Sequence, residues 1–309
     1  MYSAIARNRR NTVIIILSFV GFFTGVSVWL SYVFQNAWLG IGIIAFVITY
    51  TTVQYFLAST MAIRLAGGVL ISKKENPKLW NVVENLSISQ GMKMPRVYVI
   101  DDESFNAFAA GTRPSNSLVA ITSGLLKASE KFELQGVMAH EMAHLKNRDT
   151  SVTTLIFGLV GAFAALAQFC FYFFLGAMQG SGNRNNDERN QGAAAFAIVA
   201  GIFLAIIGLV CSFIAFVVGP IVTAGVSRQR EFLADATGAQ MTRHPEGLMS
   251  ALRKIEAFSS ETVRKSRATA AMYFDYPFKR GFFSRLLSTH PPIHERIQRL
   301  AEMSTGARF

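Results

Sequence analysis

Long charge-free apolar runs alternate with polar, turn-punctuated stretches along this chain. No charged residue occurs between Arg10 and Arg64, between Asp149 and Arg184, or between Arg189 and Arg228. Each gap holds at least one run long enough to cross a bilayer, which takes about 20 helical residues. The first gap predicts two spans, near Thr12–Phe34 and Leu39–Ile63, turned by Gln35-Asn36-Ala37-Trp38. The others predict spans near Thr154–Met178 and Ala194–Val222. A buried-core reading of these last two competes, because core helices can also be apolar all round. The first run is too long, and too deep in a hairpin, for a cleaved signal peptide, and no A-x-A site follows it.

Between the runs the period changes. Pro77–Ser89 puts Leu79, Val82, Val83 and Leu86 on one helical face, with Gly91 beyond its end. Arg96–Ile100, Asn106–Ala110 and Leu118–Thr122 read as short strands, with Gly111–Ser117 as a turn. A helix then begins at Ser129 as N-cap, with Glu130 and Glu133 in its first turn and Leu134, Val137 and Met138 as its apolar stripe. It leads almost directly into the third apolar run. A further helix follows the fourth run, and two more are expected near Pro245–Phe258 and Leu286–Met303, with a basic irregular stretch to Arg285 between them. Gly180–Gly192 is a low-complexity loop. Four parts result: a membrane hairpin over 1–65, a polar part over 66–150, a second hairpin over 151–225 and a polar part over 226–309.

One motif carries chemistry. His140-Glu141-Met142-Ala143-His144 reads H-E-x-x-H. With five His and thirteen Glu in the chain, it would arise by chance in about 0.003 of such sequences. Two His four apart share one helical face and can share one Zn²⁺. Glu141 is one step round from His140, close enough to serve a water there as general base. A catalytic zinc with an open position needs a third protein ligand. His244, His290, His294 and the Glu residues are candidates; Cys170 and Cys211 lie inside apolar runs. Glu231 stands out, because Asp235 lies four residues on, on the same helical face. Glu231 could ligate while Asp235 holds a ligand His through its second ring nitrogen. Solvated helix faces also hold many such E-x-x-x-D pairs.

The ordered set H-E-M-A-H, E-F-L-A-D-A (231–236) and Ser288-Thr289-His290-Pro291-Pro292 resembles the HtpX-type membrane zinc metalloproteases, relatives of the CAAX prenyl-protein zinc proteases. The likeness takes in the N-terminal hairpin and Asn106-Ala107-Phe108-Ala109-Ala110-Gly111, so it covers nearly the whole chain. It implies a mainly α membrane protein: about four transmembrane helices plus a cytoplasmic zincin-like α+β protease domain with a small sheet. It implies one Zn²⁺ per chain and cleavage of misfolded or unassembled membrane proteins, as in quality control under stress. It favours Asn106, Ala107, Phe108 and Ala109 as a substrate-binding edge strand, since an exposed edge can add an extended peptide through main-chain hydrogen bonds. The residues alone favour an ordinary strand. It also sets His290 near the active site, as a donor to the oxyanion; a loop His satisfied by its neighbours competes evenly. Arg296 reads as the partner of a carboxylate or as a solvated helix residue, Asn147 and Asp149 as organisers of a junction, His244 and His294 as surface residues.

Composition and charge refine this reading. The chain is 51% hydrophobic and 16% charged, with a formal charge of +11. Arg7, Arg9 and Arg10 precede the first span, and the Gln179–Gln191 loop is net neutral. Positive-inside bias then puts both termini and the motif on the cytoplasmic side of a bacterial-type plasma membrane. Nucleic-acid binding is the competing reading of a basic surplus, but no recognition motif accompanies it. Two Cys offer no disulfide framework. The expected partners are polypeptide or membrane-protein substrates and the lipid bilayer, not nucleic acid; oligomer formation is left open. Two other functions compete. A CAAX-type peptidase of lipidated C-termini would need a larger chamber than four spans provide. A non-enzymatic scaffold with structural zinc would close the site with four protein ligands and would not need Glu141.

Overall fold

The computed structural model describes residues 2–33, 35–181, 188–213, 228–258 and 291–304. Two compact units emerge: 1–158 together with 223–309, and 159–222.

The first unit opens with a helical hairpin, α1 (Tyr2–Val33) and α2 (Ala37–Leu65). Gln35 takes a left-handed φ of 49° at the turn, and the Asn36 side chain accepts from the Trp38 and Leu39 N–H groups to start α2. The helices pass closely where Ser27 Oγ donates to Gly40 O at 2.8 Å. Beyond them lie β1 (Gly68–Leu70), α3 (Pro77–Ser89, capped by Asn76), β2 (Arg96–Ile100), β3 (Ala107–Ala110) and β4 (Leu118–Thr122). The strand order is β1-β2-β4-β3, with β2 and β4 parallel and the outer pairs antiparallel. Strand alternation sends Tyr98, Ile100, Phe108, Ala110, Leu118 and Ala120 to one face, against Ala58, Ala62 and Ile63 near the end of α2. Val97, Ala107, Ala109, Val119 and Ile121 face the other way, into the main core. The small sheet therefore lies between the membrane hairpin and the helices that carry the H-E-x-x-H motif.

Those helices are α4 (Ser123–Ala128), α5 (Lys131–Lys146), the start of α6 (Asp149–Ser181), α8 (Arg228–Thr242), α9 (Pro245–Phe258) and α10 (Ile293–Ser304). Helix α7 (Glu188–Phe213) belongs to the second unit. Ser129 does not cap α5. Its hydroxyl is taken by Leu125 O at the end of α4, a short helix the sequence pattern did not predict. Glu130 is the N-cap instead, and Glu133 accepts from its N–H. Glu133 also binds Ser250 and Lys254, which ties α5 to α9. At α10 the two prolines precede the helix, and Pro292 O receives the first N–H bonds, from Glu295 and Arg296.

Three helical segments have the length and hydropathy to cross a membrane: Arg10–Tyr32, Ala37–Leu65 and Asp149–Gly176. The fourth expected span is met in part by the shorter apolar stretch Gly201–Phe213. Residues 194–200 of that expected span also lie in helix α7, whereas its end, 214–222, lies outside the described residues, as do the basic stretch from 259 to Arg285 and His290.

Helix α5 is wedged between α8 and α9 at van der Waals distance. A Cβ on Gly136 would sit 2.6 Å from Leu248 N. Alanine at an interior helix position gains up to about 1 kcal/mol over glycine. Overpacking against backbone costs about 1–3 kcal/mol and should win. Gly136→Ala is therefore expected to lower the thermal midpoint of the detergent-solubilised protein; an unchanged or raised midpoint would show that α5 and α9 are not so closely apposed.

Candidate metal centre

Helix α5 presents His140 and His144 one turn apart, with their rings edge to face and their Nε2 atoms 3.2 Å from each other. Helix α8 crosses close to α5 because Gly238 faces His140: a Cβ there would lie 3.0 Å from His140 N. One carboxylate of α8, that of Glu231, then comes within 3.5 Å of His140 Nε2 and 3.4 Å of His144 Nε2. The two imidazole Nε2 atoms lie 3.2 Å apart, and one Glu231 oxygen approaches each of them, Oε1 at 3.4 Å from His144 and Oε2 at 3.5 Å from His140. A tetrahedral ion with bonds of about 2.0–2.1 Å sets its ligand atoms about 3.3–3.4 Å apart. Each of these separations is close to that spacing, and the three groups converge as the ligands of such an ion would. Among the described residues this is the one group of His, Cys, Asp or Glu placed to hold a metal.

Each His ring is fixed from behind. His140 Nδ1 lies 2.9 Å from Asp235 Oδ1, and His144 Nδ1 lies 3.2 Å from Asp149 Oδ2. Both rings consequently turn Nε2 toward Glu231. Carboxylates bound to the distal nitrogen set the tautomer and raise the basicity of the nitrogen left for metal. Asp149 reaches back through a break in the helix. Five positions along a straight helix lie about 140° apart, on different faces. Here Arg148 takes a left-handed φ of 60° between α5 and α6, and the chain turns back on itself.

Arg296 of α10 completes the arrangement. It is 1% exposed. Its Nε and Nη2 donate to the two oxygens of Asp235 at 2.9 and 2.7 Å, a forked pair. Its Nη1 lies 3.8 Å from Glu231. Burial opposes charge on Asp235, but Arg296 outweighs it and holds the carboxyl down at about 2. Burial also opposes charge on Arg296; Asp235 and Glu231 together raise its pKa further above its ordinary value. Burial likewise works against a proton on His144, yet Glu231 and Asp149 push its pKa up to about 10, and His140 is raised through Asp235 and Glu231. Four buried carboxyl groups, of Glu141, Asp149, Glu231 and Asp235, thus gather around two imidazoles, with two buried guanidiniums, of Arg296 and Arg230, beside them.

The other candidates fall elsewhere. His244 stacks on Phe132 with centroids 4.6 Å apart, and His294 is exposed. Strand β3 does lie at the edge of the sheet. Its side chains are buried on both faces, so Ala107, Phe108 and Ala109 offer a peptide main-chain groups and not pockets. Thr122 N–H donates to Asn106 O, and strand alternation then turns the N–H and C=O of Ala107 and Ala109 outward. The Asn106 side chain accepts from Ala107 N–H. Sequence alone reads Asp149 as organising a junction and not as the partner of His144, and Arg296 as the partner of a carboxylate or as a solvated residue; Arg296 pairs with Asp235. Asp149 left no signal, because five-residue spacing has no helical meaning. Arg296 left one: it falls on the apolar stripe Ile293, Ile297, Leu300, where a charge needs a partner.

Known proteins are similar to this chain. A profile of peptidase family M48 matches residues 73–304. A protease HtpX homolog of Tropheryma whipplei (strain Twist) is 41% identical over 307 residues, 98% of both chains. One of Lactobacillus acidophilus is 36% identical over 312 residues, covering 98% of this chain and all of that one. The crystal structure of S. mikatae Ste24p is similar over 97% of this chain and 67% of its own, with 16% identity and a TM-score of 0.48.

Proposed function

The chain belongs to peptidase family M48 and is a membrane-integral metalloprotease, and from that premise we propose that its metal is one zinc ion held by His140, His144 and Glu231. The observation that carries this is the convergence of two Nε2 atoms 3.2 Å apart on the Glu231 carboxylate, which lies 3.4–3.5 Å from each, with each imidazole backed by its own carboxylate. When bound, zinc supplies Lewis acidity, which acidifies water and polarises a carbonyl.

The protein's own groups do the rest. Glu141, buried on α5 between the two His, takes the proton of the attacking water and passes it to the leaving amine. Asp235 and Asp149 hold the imidazoles with Nε2 inward. Arg296 keeps Asp235 ionised and so able to accept from His140 Nδ1. The outward C=O of Ala107 and the outward N–H and C=O of Ala109 pair with an extended polypeptide segment, which orients its peptide bond along the site. His290 is the candidate donor to the oxyanion.

The substrates are polypeptides, with misfolded or unassembled membrane proteins as the class that a protease tethered by a hairpin can reach. The site faces the cytoplasm, the side that positive-inside bias assigns to Arg7, Arg9 and Arg10. A CAAX-type activity on lipidated C-termini is the weaker reading, since relatives that match 98% of this chain are HtpX homologs.

Chelation tests the reading. Stripping metal from the full-length protein should abolish cleavage of a denatured membrane protein, and one equivalent of zinc should restore it. Because both imidazoles favour protonation when no metal neutralises the carboxylates, zinc uptake at neutral pH should release at least one proton per ion. Calorimetry in buffers of different ionisation enthalpy reads this number. Uptake without proton release would place the ion elsewhere.

A further inference from the structure

We propose that Arg96 and Arg113, with Arg64 beside them, form a binding site for the phosphate of an anionic phospholipid headgroup, where α2 leaves the bilayer.

The level of the membrane boundary follows from two helices. Helix α2 is apolar over 29 residues, Ala37–Leu65, about 44 Å. That is about 14 Å more than the hydrocarbon core requires. With the Gln35–Asn36 turn at one boundary, the other crosses α2 about twenty residues on, near Phe56. Helix α1 gives the same level. Ser27 is bonded to Gly40; stepping 17 residues back along α1 to Arg10, and as far forward along α2, leads to Leu57. Arg10 is where the charge-free stretch of α1 ends.

Three guanidinium groups occupy successive turns of α2 from this level outward. Arg113 stacks over the Phe56 ring with its Cζ 4.0 Å from the centroid, and lies 5.9 Å from that of Tyr55. Arg96 donates to Thr60 Oγ1 at 3.4 Å. Arg64 is the next residue of the same face, four positions further on, and is exposed. Four helical residues rise about 6 Å, so one phosphate can be reached by two neighbouring guanidiniums. None of the three pairs with a carboxylate among the described residues. The Nε atoms of Arg96 and Arg113 are covered and have no acceptor there. Three lysines of the same unit do pair with carboxylates: Lys73 with Glu84, Lys127 with Glu103, Lys254 with Glu133. Stacking and the Thr60 bond hold two forks in place, and a guanidinium fork suits phosphate.

The site is joined to the sheet that supports α5. Arg113 belongs to the turn between β3 and β4. That turn is anchored on α2 through Asn116 Nδ2 to Phe56 O, and on α6 through Thr150 to Gly111 O and Ser151 to Thr112 O. Arg96 is the first residue of β2, paired in register with Leu118 of β4. A headgroup held here would brace the edge of the sheet at the membrane surface.

Native mass spectrometry of the full-length chain released from nanodiscs tests this, with phosphatidylglycerol and phosphatidylcholine as the probes. A basic side chain at an anionic surface contributes about a five-fold preference, so the pair should contribute about thirty-fold. The wild type should retain phosphatidylglycerol over phosphatidylcholine. The Arg96→Gln/Arg113→Gln double variant should lose about thirty-fold of that preference. Arg96→Lys/Arg113→Lys should keep most of it, and Lys73→Gln/Lys127→Gln all of it. Equal preference in the Gln double variant and the wild type overturns the site, and so does an equal loss in the Lys73/Lys127 control. If the Gln variant does not fold, the wild type decides alone: its preference must fall as salt rises, and a salt-insensitive preference counts against the proposal. Inorganic phosphate added to phosphatidylcholine discs is the soluble-anion arm. Stabilisation by it equal to that from phosphatidylglycerol would assign the site to a free anion and not to lipid.

Discussion

Glu141→Gln is expected to abolish proteolysis and leave the metal in place. The carboxamide is nearly isosteric with the carboxylate, so α5 keeps its packing between α8 and α9. His140, His144 and Glu231 keep their mutual distances of 3.2–3.5 Å. What disappears is the group that can accept a proton from water. Removing a general base costs typically 10²–10⁴-fold in rate, and the variant should fall in that range or below detection. Zinc content near one per chain should persist, because the carboxyl of Glu141 is not one of the three ligand groups that converge. The pair of measurements separates the roles. Turnover near the wild-type rate would remove Glu141 from the chemistry, whereas loss of zinc would make it a ligand.

Local periodicity made much of this fold legible. The bounds Pro77–Ser89, Arg96–Ile100, Leu118–Thr122 and Pro245–Phe258 read from sequence coincide with helices and strands of the structure. In these segments propensity, apolar spacing and turn residues agree, so local preference and tertiary packing select the same state. Where they compete, the reading fails. Ser129 is a good N-cap by type, but its hydroxyl already serves the end of α4. That short helix has too few residues to show a period. The metal ligands were legible because two lie at helical spacing and the third, with Asp235, repeats it. Asp149 was not, since its place depends on the left-handed Arg148, a backbone state that sequence does not encode for arginine.

Arg296 shows the other limit. Its stripe position marks it as buried, but its partner is 61 positions back in the sequence. A carboxylate and a guanidinium buried together can be placed only by tertiary structure. The pair also divides the labour of the site. Glu231 and Asp235 share one face of α8, yet only Glu231 points at the imidazole Nε2 atoms, while Asp235 is held behind His140 by Arg296.

That division fixes the outcome of removing each carboxylate. Glu231→Ala should lose both zinc and activity, because two imidazoles alone leave the ion two protein ligands short of a closed shell. The fold should survive, since Arg296 keeps its forked pair with Asp235. Asp235→Asn should behave in the opposite way. It leaves the three ligand groups in place, so zinc affinity should fall only about 10–100-fold. It also takes from the buried Arg296 its forked carboxylate partner, while the Glu231 contact is the longer one, at 3.8 Å. Breaking a buried ion pair from one side typically costs 3–5 kcal/mol, so the thermal midpoint should drop more for Asp235→Asn than for Glu231→Ala in metal-free protein. Metal analysis and thermal unfolding on the same preparations read the two effects separately. Full zinc retention in Glu231→Ala would move the third ligand to another residue. Equal midpoints for the two variants would mean that Arg296 does not depend on Asp235.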